Sequence, residues 1–306
     1  MHLLAVSTLS LLPAFTVVGL VLGGTYALAA IGLVLIYRVS GVLNFAHGAV
    51  AMFATFIAYQ ISVVWGLPSI LGLLAAIAAG ALLGLAIEVF TMRPLAGRPA
   101  ITKVVVTIGW LLVLQTAAGL IWKDTAYHRP VKLVSSNGFH LIGTNVIVGY
   151  DQLVTLIVAL AFALGTAALL RYTTLGVSMR AVADAPDTAR LWGVSVNRVT
   201  AASWMAGSAM AAVAGVLITP RINFTTFALT VIVIDAFTAA LIGRLSSLPW
   251  TVVGAMFLGL AQTYPRAFQH IALLQKAGSG ELVTFVLVLV VLGLLFRPGS
   301  RRLRVA

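Results

Sequence analysis

Apolar residues in this chain come in runs close to a membrane's width, parted by short clusters of Arg, Gly, Pro and Ser. A helix needs roughly 20 predominantly apolar residues to cross the hydrocarbon core of a bilayer. On that measure nine segments are candidate spans: Leu11–Tyr37, Phe45–Val64, Pro68–Met92, Val104–Trp122, Val146–Leu170, Val199–Thr219, Phe227–Ile242, Trp250–Tyr264 and Glu281–Phe296. The seventh and eighth are short and are joined by Gly243-Arg244-Leu245-Ser246-Ser247-Leu248-Pro249. Short, interrupted apolar segments are the mark of broken or re-entrant helices. The pattern predicts an all-α fold, a polytopic transmembrane helix bundle of about 8–10 spans. Residues 1–306 read as a single membrane domain with no appended soluble catalytic domain.

Composition supports the same class. Hydrophobic residues make up 61% of the chain and charged residues 8%, against about 25% charged in a soluble domain. With no cysteine, disulfides, thiolate metal sites and a cysteine nucleophile are excluded. The net charge of +12 comes from basic residues scattered singly between apolar runs. They form no block that would track phosphates, so nucleic acid is a poor explanation. With nine crossings and the C-terminus inside, 13 of the 19 Lys and Arg fall on the cytoplasmic side and 6 outside. That bias predicts an outside N-terminus and a cytoplasmic C-terminus. Arg297-Pro298-Gly299-Ser300-Arg301-Arg302 would stop and anchor the last helix. Met1 to Ser10 carries no Lys or Arg, so the first apolar run reads as a permanent span rather than a signal peptide.

Several polar positions need a reason. Asn44-Phe45-Ala46-His47-Gly48 opens the second span, with Asn44 placed to cap that helix. Two readings stay open there. The first-turn N–H groups face a polar group of a solute, or the helix is simply capped and His47 reaches the interface. Glu88, one turn from a span end and near Arg93, predicts a structural ion pair. Asp235 lies within a span, where a carboxylate needs a partner or water. It either pairs structurally, with Arg244 in reach only if the helix bends near Gly243, or lines a polar path. Trp122, Tyr127 and His128 read as interfacial belt residues. Gly19/Gly23 and Gly80/Gly84 have the spacing that lets helices approach closely. Val17–Tyr26 and Val252–Tyr264 share a weak similarity consistent with an inverted repeat.

The longest cytoplasmic segment is Tyr172–Arg198, and within it Leu175–Gly193 reads as one or two short amphipathic helices. Asp184 is expected in a first turn, Asp187 follows Pro186 at the start of a second, and Gly193 is expected to stop the helix. Such a segment either docks into a partner's groove or lies in the headgroup plane.

Three stretches carry a family resemblance. Gly24-Thr25-Tyr26-Ala27-Leu28-Ala29-Ala30-Ile31-Gly32-Leu33 with Leu43-Asn44-Phe45-Ala46-His47-Gly48, then Met179-Arg180-Ala181 through Ala189 and Gly193 with Ala209–Gly215, and finally Phe237-Thr238-Ala239-Ala240-Leu241-Ile242-Gly243, resemble the branched-chain amino acid ABC transporter permeases in that family's order. The resemblance implies an inner-membrane permease that translocates branched-chain or related hydrophobic amino acids by alternating access. It implies as partners two cytoplasmic ATP-binding subunits, a second homologous permease or a second copy, and an extracytoplasmic solute-binding protein. By the same analogy Arg180, Asp184, Ala189 and Gly193 belong to the loop that docks on the ATPase, while Asn44, His47, Gly48, Asp235 and Gly243 stand near the substrate path. The chain has no Gly-x-x-x-x-Gly-Lys-Ser/Thr loop, so ATP and Mg would be held by the partner subunits. No cofactor or metal is expected on this chain, and no catalytic residues. Two places depart from the family pattern near the expected path. Ala49 stands where the family often has an acid, and Arg244, Ser246, Ser247, Pro249 and Trp250 stand where it is glycine-rich. The alternative is a channel or secondary transporter for another small solute such as urea or an amide. An intramembrane enzyme would need paired aspartates, a Ser/His pair or a zinc spacing, and none stands out.

Overall fold

The structure, a computed structural model, describes residues 2–123, 128–134, 137–140, 147–222, 224–267 and scattered positions between 282 and 293. Ten helices run through the described residues: α1 (His2–Ser40), α2 (His47–Tyr59), α3 (Ser69–Ile87), α4 (Ala100–Trp122), α5 (Tyr150–Tyr172), α6 (Thr174–Asp184), α7 (Pro186–Leu191), α8 (Val196–Ile218), α9 (Thr226–Ile242) and α10 (Leu248–Ala267). Six stretches are long and apolar enough to cross a membrane, and α9 is a shorter apolar helix. A two-stranded antiparallel ladder, β1 (Gly138–His140) with β2 (Ile147–Gly149), interrupts the loop before α5. The chain is therefore an all-α polytopic bundle. Eight of the nine anticipated segments are found as helices, and six of them are long and apolar enough to cross a membrane among the described residues. The ninth, Glu281–Phe296, and the basic tail after it lie outside the described residues, apart from isolated positions.

α1 and α8 are the most enclosed spans, and the other helices pack around them. Small residues allow the closest approaches. A Cβ on Gly23 would stand 2.8 Å from the Met256 Cα, and one on Gly19 would meet Leu260 and Gly259. As the α1 number rises its α10 partner's number falls, so the two helices are antiparallel. That is the direction the similarity between Val17–Tyr26 and Val252–Tyr264 calls for. Gly80 and Gly84 do the same for α3 against Ser208 and Trp204 of α8. Close backbone contact of this kind drives helix association where lipid removes the hydrophobic incentive.

Two helices end in π-turns, Gln60–Val64 after α2 and Glu88–Met92 after α3. In the second, Glu88 is 2% exposed and both its oxygens accept from Arg93, the shorter bond being 2.9 Å. The anticipated ion pair is present. Burial of the carboxylate makes the pairing obligatory rather than ornamental.

Candidate functional site

Between α1 and α2 the backbone leaves the helix. Gly41 turns the chain with φ +67°, and Val42, Asn44 and Ala46 are buried although none is helical. Irregular backbone at depth must find partners within the protein. The Val42 N–H donates to Ser40 Oγ (3.3 Å) and the Phe45 N–H to Thr107 Oγ1 of α4 (3.2 Å). His47 opens α2 with its ring 1% exposed and Nε2 2.9 Å from the Ala29 carbonyl. Ala29 lies eleven residues before Ser40, about 16 Å back along α1 at 1.5 Å per residue. α2 thus begins alongside the body of α1, not at its end.

One expectation fails here, and one of two open readings is set aside. Asn44 does not cap α2. Phe45 and Ala46 form a turn between it and the helix, Ala46 occupies the cap position, and no side chain caps. Only the Asn44 backbone carbonyl reaches the helix, accepting from the His47 N–H at 3.3 Å. Nor does His47 reach an interface, because the Ala29 carbonyl fixes it inside the bundle. What remains is unusual. Both amide atoms of Asn44, 1% exposed, and Nδ1 of His47 are buried without a hydrogen-bond partner among the described residues.

α9 forms the opposite wall. A Cβ on Gly48 would fall 2.3 Å from the Thr230 carbonyl oxygen, so α2 and α9 touch through backbone. One turn toward the start of α2's approach, the Phe45 and Phe237 rings stand 5.0 Å apart. Asp235, half-buried two residues before Phe237, accepts a 2.7 Å bond from Gln262 Nε2 of α10, and the Gln262 Oε1 accepts from the Tyr26 hydroxyl of α1 at 2.8 Å. These two bonds fix the amide's orientation, since its oxygen faces a donor and its nitrogen a carboxylate. Gly48 and Phe45 are thus brought onto α9, while His47 is held from α1. Asp235 stands on the flank of α9 that faces α10, and Gly243 ends the helix, packed against Ser247 and Thr251 rather than against Asn44. Sequence reasoning missed Tyr26, Gln262 and Thr107. The first two lie 236 residues apart, a pairing no local pattern reveals. Thr107 had a signal, being the polar member of a buried 107/114/118 stripe on α4.

The second cluster lies outside the bundle. α6 and α7 are two short helices, as expected. Thr173 caps α6 by accepting from the Gly176 N–H (3.0 Å), and Pro186 opens α7. Asp184 is the last residue of α6 and not in a first turn, because Pro186 resets the helix and makes Ala185 its cap. Asp187 does occupy the first turn of α7 and pairs with Arg190 at 3.1 Å. Gly193, at φ +81°, stops α7, a conformation that favours glycine. Arg180 faces inward, its guanidinium donating to the Leu170 carbonyl at the end of α5. Met179, Val182 and Ala189 pack on Leu35 and Val39 of α1 and Val199 of α8. At the tip, Leu191 is 88% and Trp192 85% exposed, two residues sequence reasoning did not single out.

The anticipated aromatic belt is partly internal. Trp122 stacks on Phe56 (5.2 Å) and donates to Gln60 Oε1 (2.9 Å), and His128 packs edge-on against Phe56 and Tyr59. Tyr127 lies outside the described residues. A further pair, Arg221 with Asp151 at 3.2 Å, ties the end of α8 to the start of α5. Among the described residues no group of three His, Asp or Glu could hold a metal.

Comparison with known proteins adds the family. The profile of the family described as "Branched-chain amino acid transport system / permease component" matches residues 15–295. The high-affinity branched-chain amino acid transport system permease protein BraD of Pseudomonas aeruginosa is 33% identical over 262 residues, 80% of this chain and 83% of that protein. The corresponding permease LivH of Escherichia coli K12 is 31% identical over 300 residues, 92% of this chain and 94% of that protein. Among solved structures, PsaBC from Streptococcus pneumoniae in complex with Fab superposes with a TM-score of 0.54 at 16% identity. That superposition covers 94% of this chain and 92% of the other and speaks to the fold alone.

Proposed function

The chain belongs to the permease-component family of branched-chain amino acid transport systems, and from that membership we propose that it is the membrane subunit of a binding-protein-dependent importer. Its solute is a branched-chain or related hydrophobic amino acid, moved across the inner membrane by alternating access. Two cytoplasmic ATPases, a second permease or second copy, and an external solute-binding protein complete the assembly. ATP and Mg reside on the ATPases. The N-terminus is outside and the C-terminus cytoplasmic.

The observation that carries the proposal, beyond family membership, is the α6–α7 tip. Leu191 and Trp192 present large apolar surface outside the bundle, and an exposed patch of that kind marks a docking contact. Behind the tip, Ala189 packs with residues of α1 and α8, and Arg180 ties α6 to α5. A push on the tip would therefore reach the long central helices. α1 in turn holds His47 through Ala29, which links that motion to the start of α2, where Asn44 and His47 would meet the solute.

The test replaces both tip residues, Leu191→Asp with Trp192→Asp, in the assembled importer. Because these side chains touch mainly water, the variant's melting temperature should stay within about 2 °C of the parent. ATPase co-purifying with the permease, and amino acid uptake, should each fall at least tenfold. Normal uptake with undiminished ATPase recovery would sink the coupling role. Uptake by the permease without any ATPase would instead point to a channel or secondary carrier.

A further inference from the structure

α4 is thinly attached to the bundle. Of its 23 residues only Thr107, Leu114 and Ala118 are buried. Spacings of seven and four put the three on one face of the helix. Two of them pack apolar surface. The third is a hydroxyl, and it meets the irregular Leu43–Phe45 stretch described above. Thr107 Oγ1 donates to the Val104 carbonyl of its own helix at 2.7 Å. A hydroxyl has one proton and two lone pairs, so once the proton is committed the oxygen is left as an acceptor. The Phe45 N–H donates to it at 3.2 Å, and the Leu43 carbonyl stands 3.4 Å from the same oxygen. In non-helical backbone packed between helices, an N–H of this kind needs such an acceptor.

We propose that Thr107 is a positioning residue of the translocation site, its hydroxyl fixing the Asn44–Phe45 backbone and so the placement of the buried Asn44 amide. Through the Phe45 ring, packed on Phe237, the same hydroxyl holds α4 in register with α9. Thr107 acts on the solute only by way of Asn44. The proposal rests on the reading of Asn44 as part of the path.

Thr107→Val keeps the shape and deletes the acceptor, whereas Thr107→Ser keeps the acceptor. The measurement is uptake of radiolabelled leucine below saturation by the whole importer in proteoliposomes, per mole of permease. Thr107→Val should be at least tenfold slower than the parent and Thr107→Ser within twofold of it. Asn44→Ala should also be slow, and the Asn44→Ala, Thr107→Val double variant no slower than Asn44→Ala alone, as residues acting through one another are non-additive. Should Thr107→Val fail to accumulate, Thr107→Cys, similar in size but a poor acceptor, replaces it with the same expected order. Additive losses, or a serine variant as slow as the valine one, would overturn the role of Thr107 alone. An Asn44→Ala variant with parental uptake would overturn the path reading, and the positioning role with it.

Discussion

At the start of α2, polar atoms of Asn44 and His47 are buried without hydrogen-bond partners among the described residues, whereas at the tip of α7 two large apolar side chains, Leu191 and Trp192, stand in the open. The two regions break the ordinary partition of surface in opposite directions. An unpaired buried amide costs about 1–3 kcal/mol. A bare Trp and Leu forgo about 1.5–3 kcal/mol each that burial would supply. Neither cost is offset by a contact among the described residues, as the proposed function expects of regions that meet a partner. The scale differs. On the proposed function, the Asn44 amide would be matched by a single functional group of a solute, while the tip would need a groove the size of a protein surface. Their backbones differ accordingly. Around Asn44 the chain is clamped from α1, α4 and α9, and at the tip it ends in a free turn at Gly193.

The two glycines break this comparison most strongly. Gly48→Ala places a Cβ 2.3 Å from the Thr230 carbonyl oxygen, a backbone atom that cannot rotate away. Overpacking of this sort costs about 3 kcal/mol or more, and it separates the walls of the proposed path. Uptake should become undetectable and the melting temperature of the detergent-solubilised permease should fall by several degrees. Gly193→Ala meets no atom within 4 Å and bears only the strain of φ +81°, about 1–2 kcal/mol and local to the tip. Its melting temperature should change little, since the tip is not part of the core. Equal effects at the two positions would mean that α2 and α9 are not in rigid contact.

Asn44 separates the regions more finely. Asn44→Leu replaces an unpartnered buried amide with an apolar group of similar size. Removing such a group should raise stability by about 1–3 kcal/mol while uptake falls at least tenfold. Both are read from one preparation, by thermal melting and by leucine uptake. Higher stability with lost transport is how a site held for function shows itself. A stabilised protein with parental uptake would make the amide an accident of packing.

How much of this was legible depended on how far each decision lies from its own residue. Span ends were readable because the bilayer sets a length and arginines mark the borders, as at Arg38, Arg93 and Arg171. Gly80 and Gly84 announced a close helix contact through their spacing alone, though not that α8 is the neighbour. The stop at Gly193 and the new start at Pro186 were readable too, and Pro186 carried enough information to put Asp184 at a helix end had its consequence for Ala185 been followed. The cap expected of Asn44 is absent, and of the two open readings of His47 the interface one is set aside, because capping and interface location were read from adjacent residues. The contacts made there are distant in sequence: Phe45, next to Asn44, bonds Thr107 62 residues away, and His47 bonds Ala29 18 residues away. Asp235 was recognised as needing a partner, but Gln262 and Tyr26 come from other helices and no spacing rule leads to them.

The turn between α9 and α10 connects the two regions and offers the smallest test. α9 packs on Gly48 in its first half and ends at Gly243. Leu248, after the turn, lies against the Met179, Val182 and Ala189 cluster that backs the α7 tip. In between, Arg244 and Leu245 hold φ of +53° and +54°, a left-handed conformation that costs a side-chain-bearing residue about 1–2 kcal/mol. The Leu245 N–H to Ala240 carbonyl bond of 2.8 Å closes the turn over that strain. Arg244→Gly relieves the strain but gives the unfolded chain more freedom, about 0.4–1 kcal/mol in the other direction. The net gain should lie between about 0 and 1.6 kcal/mol, a rise in melting temperature of a few degrees at most, with uptake within twofold of the parent because the Arg244 side chain is exposed. A stabilised variant that transports poorly would show that the strained turn itself carries motion from the tip to the wall beside Asn44. The two regions would then be halves of one device joined through α9, and not separate sites linked only through α1.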